Sequence, residues 1–206
     1  MSSNIKITYI NKSMNKDLPK VFLFIKNEIP TFDCLKEGVA WKVIEDVGRE
    51  SSCRFVFPIE TEVRASWDNC NCDTRALLSE TGKRYTVRKV DTGIALEEDG
   101  NAEYTRSIEF CNDIKVENQI SVNMIKDGRT ILTRRSVGCG QKASFVLRPK
   151  IYWGIASEIQ EGMELGEAQL HSDNFFELDL EGVSSVTVAL YGNELVGYQF
   201  KVEDQE

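Results

Sequence analysis

The chain has 206 residues, of which 41% are hydrophobic and 28% are charged, and its formal net charge is −8. This length and composition suit one large or two small globular domains and argue against wholesale disorder. The acidic balance argues against a nucleic-acid partner, because phosphate binding needs a basic surface. No apolar run approaches the ~20 residues of a membrane-spanning helix, so we expect no membrane span.

Short segments with alternating apolar and polar residues follow one another along the whole chain and predict β-strands. The alternation is clearest at residues 5–9, 85–88 and 186–190. Further strand-like segments are residues 21–26, 41–44, 53–57, 63–67, 107–111, 120–125, 131–137, 144–147, 152–156 and 200–202. Turn signals at residues 98–101, 126–128 and 191–193 separate some of them, and helical signals are confined to residues 33–37 and 74–80. This pattern predicts an all-β fold of sandwich or barrel type.

Similar segments recur in the same order in the two halves of the chain and predict an internal duplication. The matched pairs are residues 7–11 with 108–112, 22–27 with 122–127, 55–58 with 145–149, 64–66 with 155–157, and 85–88 with 198–201. We therefore expect two related β-sandwich lobes, an N-terminal lobe of residues 1–100 and a C-terminal lobe of residues 101–206. The sequence does not decide whether the two lobes share one core.

Signals for catalysis are weak, and we expect a non-enzymatic protein without a catalytic residue. The single histidine, His171, lies in a polar stretch that is typical of a surface position. A nucleophilic triad needs a base beside its nucleophile, and no G-x-S-x-G segment is present. Residues 138–140 form a turn between predicted strands and do not fit a phosphate-binding loop. A pair of carboxylates acting as acid and base cannot be identified from sequence spacing in a β protein.

We also expect no metal and no cofactor. Residues 68–73 are rich in oxygen ligands, but they lack the glycine and the closing glutamate of a calcium loop. The spacing of Cys70 and Cys72 is too short for a usual zinc site.

The six cysteines are the most informative residues. Cys53 and Cys111 lie in predicted strands, where a cysteine is commonly a small buried apolar residue. Cys70 and Cys72 lie in a polar loop and are too close together to bond each other readily. Two interpretations stay open for them: disulfides to another lobe or another molecule, or reduced structural thiols. The candidates for intermolecular disulfides are Cys70 and Cys72, followed by two cysteines near predicted turns, Cys34 and Cys139.

The charge is unevenly distributed along the chain. Residues 150–206 hold 12 acidic and 2 basic residues, which gives this segment a charge of −10. One interpretation is a solvated acidic flank. The other is an acidic face that meets a neutral or basic face of a neighbouring copy in a head-to-tail contact.

Three segments carry a resemblance to a known family: residues 145–158 (FVLRPKIYWGIASE), 175–183 (FFELDLEGV) and 40–44 (AWKVI). They resemble the octin family, small bacterial β proteins with a fungal member that forms the dense vacuolar crystals used by zygomycetes as gravity-sensing statoliths. The resemblance implies self-assembly into dense crystalline particles and a vacuolar or vesicular location. From the candidate cysteines we expect disulfides to strengthen these particles. No secretory signal is visible, so the residues alone predict the cytoplasm. The loop with Cys70 and Cys72 departs from the bacterial members and is where the resemblance places an assembly property.

The alternative is a lectin-like or surface-binding β-sandwich module that uses exposed aromatic residues. The candidates are Trp41, Trp67, Tyr152 and Trp153, although aromatic residues in strands lie more often in the core. Under the first hypothesis the partner is the chain itself, as a homo-oligomer or lattice. Neither hypothesis specifies a small-molecule ligand.

Overall fold

The computed structural model describes residues 4–14, 19–29, 35, 37–115, 120–167, 169–170 and 175–206. These residues form 18 strands and one short 3-10 helix, Leu165–Glu167, so the all-β class is confirmed. The strands of the first half are β1 (Ile5–Asn11), β2 (Lys20–Phe24), β3 (Lys42–Ile44), β4 (Ser52–Phe57), β5 (Glu62–Trp67), β6 (Cys72–Asp73), β7 (Leu77–Leu78), β8 (Lys83–Val90) and β9 (Gly93–Asn101). Those of the second half are β10 (Ile108–Asn112), β11 (Ile120–Lys126), β12 (Arg129–Val137), β13 (Lys142–Phe145), β14 (Lys150–Glu158), β15 (Gln169–Leu170), β16 (Phe176–Asp179), β17 (Ser185–Asn193) and β18 (Gly197–Gln205).

The chain divides into two compact units that do not coincide with its two halves. Unit 1 consists of Met1–Phe24, Ala40–Ile59 and Pro149–Glu206, and unit 2 consists of Ile25–Val39 and Glu60–Arg148. The units therefore differ from the predicted lobes of residues 1–100 and 101–206. The physical reason is strand pairing between the halves, which draws segments distant in sequence into one unit.

Unit 1 contains two sheets, one of four strands and one of five. The first sheet has the order β18-β17-β1-β4, and the second has the order β15-β14-β2-β3 with β16 also pairing with β14. In the first sheet, β1 and β17 are parallel, with Ile7 opposite Val186, while β4 pairs with β1 antiparallel. The two central strands of this sheet, β1 and β17, thus come from opposite ends of the chain.

Unit 2 has the same arrangement of strands. One sheet has the order β9-β8-β10-β13, in which β8 and β10 are parallel, and β13 pairs with β10 antiparallel. The other has the order β12-β11-β5-β6, with β7 also pairing with β5. Each unit is thus built from the first four strands of one half and the last five strands of the other.

A buried asparagine closes the end of β1 in unit 1. The Nδ2 of Asn11 donates to the carbonyl of Val47 at 2.7 Å, and its Oδ1 accepts from the backbone N–H of Ser13 at 2.9 Å. Its own carbonyl accepts from the N–H of Glu50 at 2.7 Å. These bonds tie the strand to the turn before β4.

The same hydrogen bonds recur at the end of β10 in unit 2. The Nδ2 of Asn112 donates to the carbonyl of Val137 at 2.8 Å, and its Oδ1 accepts from the N–H of Ile114 at 2.9 Å. Its carbonyl accepts from the N–H of Gly140 at 2.7 Å. Asn11 and Asn112 therefore occupy equivalent positions, which agrees with the sequence match of residues 7–11 with 108–112.

The parallel strands extend the equivalence and correct one sequence match. Leu190 lies opposite Asn11, and Val87 lies opposite Asn112, so β17 of unit 1 corresponds to β8 of unit 2. The match of residues 85–88 with 198–201 instead joins β8 to β18, whose counterpart is β9. The error arises because neighbouring strands of one sheet share the same alternation.

The cores of the two units differ in composition. Unit 1 has an aromatic core in which Phe24 and Phe175 approach to 4.8 Å between ring centroids, and Trp153 lies 5.7 Å from Phe200. The fully buried side chains of unit 2 are mostly aliphatic, among them Val63, Ile120, Val122, Met124, Ile131 and Leu132. The two units therefore share a strand arrangement and a few buried residues, such as Ile7 with Ile108 and Asn11 with Asn112, but differ in their aromatic contacts.

Of the turns predicted from local sequence, the one at residues 126–128 is present and the one at residues 98–101 is not. Asp127 and Gly128 both have positive φ angles and connect β11 to β12, as predicted. The predicted turn at residues 98–101 lies inside β9, and β8 and β9 are joined instead at residues 91–92. The helical signal at residues 74–80 was wrong, since this segment contains β7.

Candidate functional site

The cysteines fall into two groups by exposure. Cys70, Cys72 and Cys139 are exposed, and Cys53 and Cys111 are half-buried; all five are free thiols. Cys34, the remaining disulfide candidate, and His171 lie outside the described residues. The structure thus places all three described disulfide candidates on the surface.

The loop that carries Cys70 has an unusual backbone. Asp68, Asn69 and Cys70 have φ angles of 52°, 52° and 65°, which is a left-handed turn made without glycine. The N–H of Asn71 donates to the carbonyl of Asp68 at 3.0 Å and closes the turn. Left-handed backbone costs a residue with a side chain roughly 1 kcal/mol, and less for Asp and Asn. The loop therefore holds the Cys70 thiol at the surface in a defined turn.

A row of polar side chains within the sheet supports the Cys70 thiol. The sulfur of Cys70 lies 3.6 Å from the hydroxyl of Ser66, which accepts a hydrogen bond from Nδ2 of Asn123 at 3.0 Å. Oδ1 of Asn123 in turn accepts from the hydroxyl of Thr133 at 3.0 Å. Either the Ser66 hydroxyl or the Cys70 thiol can donate in this contact, because a hydroxyl has one proton and two acceptor lone pairs. The row thus connects β5, β11 and β12 to the loop.

Cys72 is held by the short edge strand β6. It lies opposite Trp67 in the antiparallel pairing of β5 with β6, and Asp73 lies opposite Ser66. A guanidinium nitrogen of Arg64 lies 3.3 Å from a carboxylate oxygen of Asp73 and reinforces this pairing. The Cys72 side chain is therefore fixed at the edge of a sheet.

Cys139 occupies a tight turn between β12 and β13. The N–H of Gln141 donates to the carbonyl of Gly138 at 3.0 Å, and Oε1 of Gln141 accepts from the N–H of Gly138 at 2.9 Å. Unit 1 has the equivalent turn, in which Ser51 donates to the carbonyl of Gly48 at 3.0 Å. The position equivalent to Cys139 is Arg49, so only one of the two turns carries a thiol.

The three exposed thiols lie at the same end of one sheet of unit 2. Ser66 near the end of β5 pairs with Ser121 near the start of β11, and Ile120 pairs with Val137 at the end of β12. The loop after β5 and the turn after β12 therefore leave the sheet at one end, from opposite edges. Three strand spacings separate β12 from β6, or roughly 14 Å.

A disulfide needs two Cα atoms within about 7 Å, which is less than the separation of β12 from β6. The structure holds Cys70, Cys72 and Cys139 as free thiols. Each of the two thiol positions is left accessible to a thiol of another molecule.

A buried carboxylate on the neighbouring sheet was missed by the sequence analysis. Glu109 on β10 is 1% exposed, and Nε of Arg84 lies 2.5 Å from its carboxylate. Burial raises the pKa of Glu109, but the hydrogen bond and charge of Arg84, with help from Lys142, outweigh it and bring the pKa below its usual value. The alternation of β10 places Glu109 on the outer face, and its burial depends on the side chains around it, which the sequence pattern does not show.

The thiol of Cys111 lies beside this carboxylate. Its sulfur is 4.0 Å from Oε1 of Glu109. Burial, followed by the negative charge of Glu109, raises the pKa of Cys111. Because the thiolate is the reactive form, Cys111 is less suited to disulfide exchange than an ordinary exposed thiol.

The aromatic candidates for a sugar-binding surface are mostly internal. Trp41, Tyr152 and Trp153 are buried, and Trp67 is half-buried. They do not form an exposed aromatic platform.

Within the described ranges, no group of three or more His, Cys, Asp or Glu residues could hold a metal ion. Over the same ranges, no helix is long and apolar enough to cross a membrane. Comparisons with known proteins give one result. No protein-family model, curated protein or solved structure matches the chain.

Proposed function

We propose that this chain is a non-enzymatic protein that assembles with copies of itself into dense, disulfide-strengthened particles. The observation that carries the proposal is the placement of Cys70, Cys72 and Cys139 at two separate exposed positions of one sheet end. A molecule that bonds through a single position can form only closed dimers. A molecule with two separate positions can bond two neighbours and extend an assembly without limit.

The charge distribution supports contacts between unlike surfaces of neighbouring copies. Unit 1 holds 9 basic and 16 acidic residues, a charge of −7, whereas unit 2 holds 16 basic and 17 acidic residues, a charge of −1. Two copies that meet through the same acidic unit repel each other. A head-to-tail contact between unit 1 of one copy and unit 2 of the next avoids this repulsion.

The resemblance to the octin family supplies the biological setting of the proposal. Disulfides persist in oxidising compartments and are reduced in the cytosol. We therefore place the assembled form in a vacuole or vesicle, where a dense particle serves as a statolith. In a reducing cytosol the same chain remains unlinked.

The test compares exposed with half-buried thiols. In an oxidising buffer, we expect the unaltered chain to form covalent oligomers on a non-reducing gel and fast-sedimenting species that dissociate in reductant. The triple variant Cys70→Ser/Cys72→Ser/Cys139→Ser should lose both. The matched control Cys53→Ser/Cys111→Ser should keep them, because these thiols are half-buried. Equal assembly of the triple variant and the unaltered chain would refute the role of the exposed thiols.

A second candidate function is surface binding through the tip of the β17–β18 hairpin. Leu195 is 96% and Val196 is 79% exposed, and Oδ1 of Asn193 accepts from both of their backbone N–H groups at 2.9 and 3.0 Å. Two adjacent apolar side chains on an ordered tip suit insertion between lipid headgroups. The unaltered chain should then sediment with neutral vesicles, and the variant Leu195→Ser/Val196→Ser should stay in the supernatant. Absence of pelleting by the unaltered chain, in reductant, would remove this candidate.

A further inference from the structure

The two halves of the chain exchange strands reciprocally. The first four strands of the first half lie in unit 1, and its last five strands lie in unit 2. The second half does the reverse, with β10 to β13 in unit 2 and β14 to β18 in unit 1. Each half thus carries the nine strands of one complete unit and distributes them between two units.

The exchange takes place at equivalent linkers. Apart from Ile25–Val39, a segment between β2 and β3 that belongs to unit 2, the chain stays in unit 1 up to Ile59. It then passes from unit 1 to unit 2 between Ile59 and Glu60, in the linker between β4 and β5. It passes back between Arg148 and Pro149, in the linker between β13 and β14. Both linkers are four residues long, 58–61 and 146–149, and each contains a proline. Proline fixes its own φ angle near about −65° and biases the residue before it towards extended backbone, so both linkers are conformationally restricted.

The strands after the two linkers begin in the same way. The N–H of Ser79 donates to the carbonyl of Thr61 at 2.8 Å in unit 2. The N–H of Leu180 donates to the carbonyl of Pro149 at 2.7 Å in unit 1. Together with the equivalent bonds of Asn11 and Asn112, these pairs mark both sides of the exchange point.

We infer that the chain is a fused, strand-exchanged pair of repeats, in which the interaction surface of each half fits another half of the same kind. The inference does not rest on the proposed function. The partner is identified by the strands it must supply: a copy of the repeat that offers β17 to β1 and β14 to β2, as unit 1 shows. A second copy of the chain presents the same strands.

Burial explains why the halves need each other. In unit 1, β1 is a central strand whose residues Ile5, Ile7 and Tyr9 are at most 3% exposed. Its parallel neighbour β17 contributes the buried residues Val186 and Val188. Separating the two halves of the chain exposes apolar strand faces in both units at once. Burial of this apolar area is the main force that holds the halves together.

The first experiment cuts the folded chain between the halves. Residues 103–106 form an exposed loop between β9 and β10, so a protease recognition sequence is inserted between Tyr104 and Thr105. After cleavage in reductant, we expect the two fragments to co-elute as one species of unchanged size. The denaturation midpoint should become dependent on protein concentration only after cleavage, because both units then need both fragments. Separation into two folded fragments, or a midpoint independent of concentration, would overturn the inference.

The second experiment reads the strand pairing directly and does not depend on the stability of the cut protein. Ile10 on β1 lies opposite Ala189 on β17. Thr86, one residue before Val87, is the position on β8 equivalent to Ala189. In monomer isolated after mild oxidation, Ile10→Cys/Ala189→Cys should give an intramolecular disulfide by peptide mapping. The matched variant Ile10→Cys/Thr86→Cys is made together with Cys111→Ser, because Cys111 lies opposite Thr86, and it should give no disulfide between positions 10 and 86. The opposite result would mean that each half folds back on itself.

Discussion

Units 1 and 2 have the same strand order, the same parallel central pair and the same buried asparagine turn, yet they differ in aromatic packing, charge, buried ionisable groups and exposed thiols. Unit 1 has an aromatic core and most of the negative charge. Unit 2 has a largely aliphatic core, a buried carboxylate and the three exposed thiols. The comparison shows that hydrogen bonds of the backbone and of a few buried amides specify the arrangement. Surface and core side chains are free to diverge around it.

The asparagine turns provide the strongest way to break the comparison. Asn11→Ala removes the side-chain partner of the half-buried Val47 carbonyl and of the buried Ser13 N–H. Asn112→Ala does the same to the buried carbonyl of Val137 and the buried N–H of Ile114. We expect each variant to lose about 3–4 kcal/mol of unfolding free energy. Chemical denaturation measures the loss. A large effect in one unit and none in the other would contradict the equivalence of the two turns.

Gly154 tests the aromatic packing that only unit 1 has. A Cβ at this position would lie 2.4 Å from Cζ of Phe22, whose ring is fully buried. Gly154→Ala should therefore destabilise the chain by about 2–3 kcal/mol through overpacking. The control is Gly166→Ala, where an added Cβ meets nothing within 4 Å. If both variants unfolded at the same denaturant concentration, the ring would have room to move.

Lys126 tests a buried charge that distinguishes unit 2. Burial lowers the pKa of Lys126 to about 8, and its Nζ donates to the carbonyl of Glu60 at 3.2 Å. The unfolded chain holds this proton up to a pKa of 10.5, so between the two values the unfolded state binds more protons than the folded one. The contribution of Lys126 to unfolding free energy should therefore rise by about 2 kcal/mol from pH 7 to pH 10.

The variant Lys126→Met isolates this contribution. Denaturation of the unaltered chain and the variant at pH 7 and pH 10 gives four unfolding free energies, and their double difference cancels the other titrating groups. A double difference near zero would show that the lysine is solvated in the folded state.

The smallest predicted change in unfolding free energy concerns a turn position that is occupied by Glu50 in unit 1 and by Gly140 in unit 2. Glu50 has a φ angle of 61°, and its equivalent in unit 2, Gly140, has a φ angle of 75°. Glu50→Gly relieves the left-handed strain of a residue with a side chain, and we expect a gain of about 0.5–1 kcal/mol after the entropy cost of glycine. Thermal unfolding measures it. A loss of stability would mean that the Glu50 side chain contributes more than its backbone costs.

The sequence could predict the class of the fold because alternation of apolar and polar residues is local. It could not predict the exchange of strands. The alternating residues Val186 and Val188 of β17 resemble Tyr85 and Val87 of β8, so either strand satisfies the pattern that β1 needs beside it. The choice is made by chain connectivity and packing over long distances.

The same distinction applies to the candidate site. The exposure of Cys70, Cys72 and Cys139 follows from polar neighbours and turn residues, which are visible in the sequence. Their position at one end of one sheet depends on the register of β5, β11 and β12, and this register is not visible in the sequence. The support of Cys70 by Asn123 was missed for the same reason, although an amide within an apolar strand is a signal that could have been followed.

The parallel pairing of β1 with β17 also fixes the order in which the protein can fold while it is being made. The last strand that unit 2 needs ends at Phe145, whereas β17 begins only at Ser185. At about 5–20 residues per second, β1 leaves the ribosome roughly 10–35 s before its partner does. Unit 2 can therefore close first, while the β1 segment can pair only with β4 and its apolar residues lack the cover that β17 later provides. Chaperone binding during synthesis is expected to concentrate on that segment.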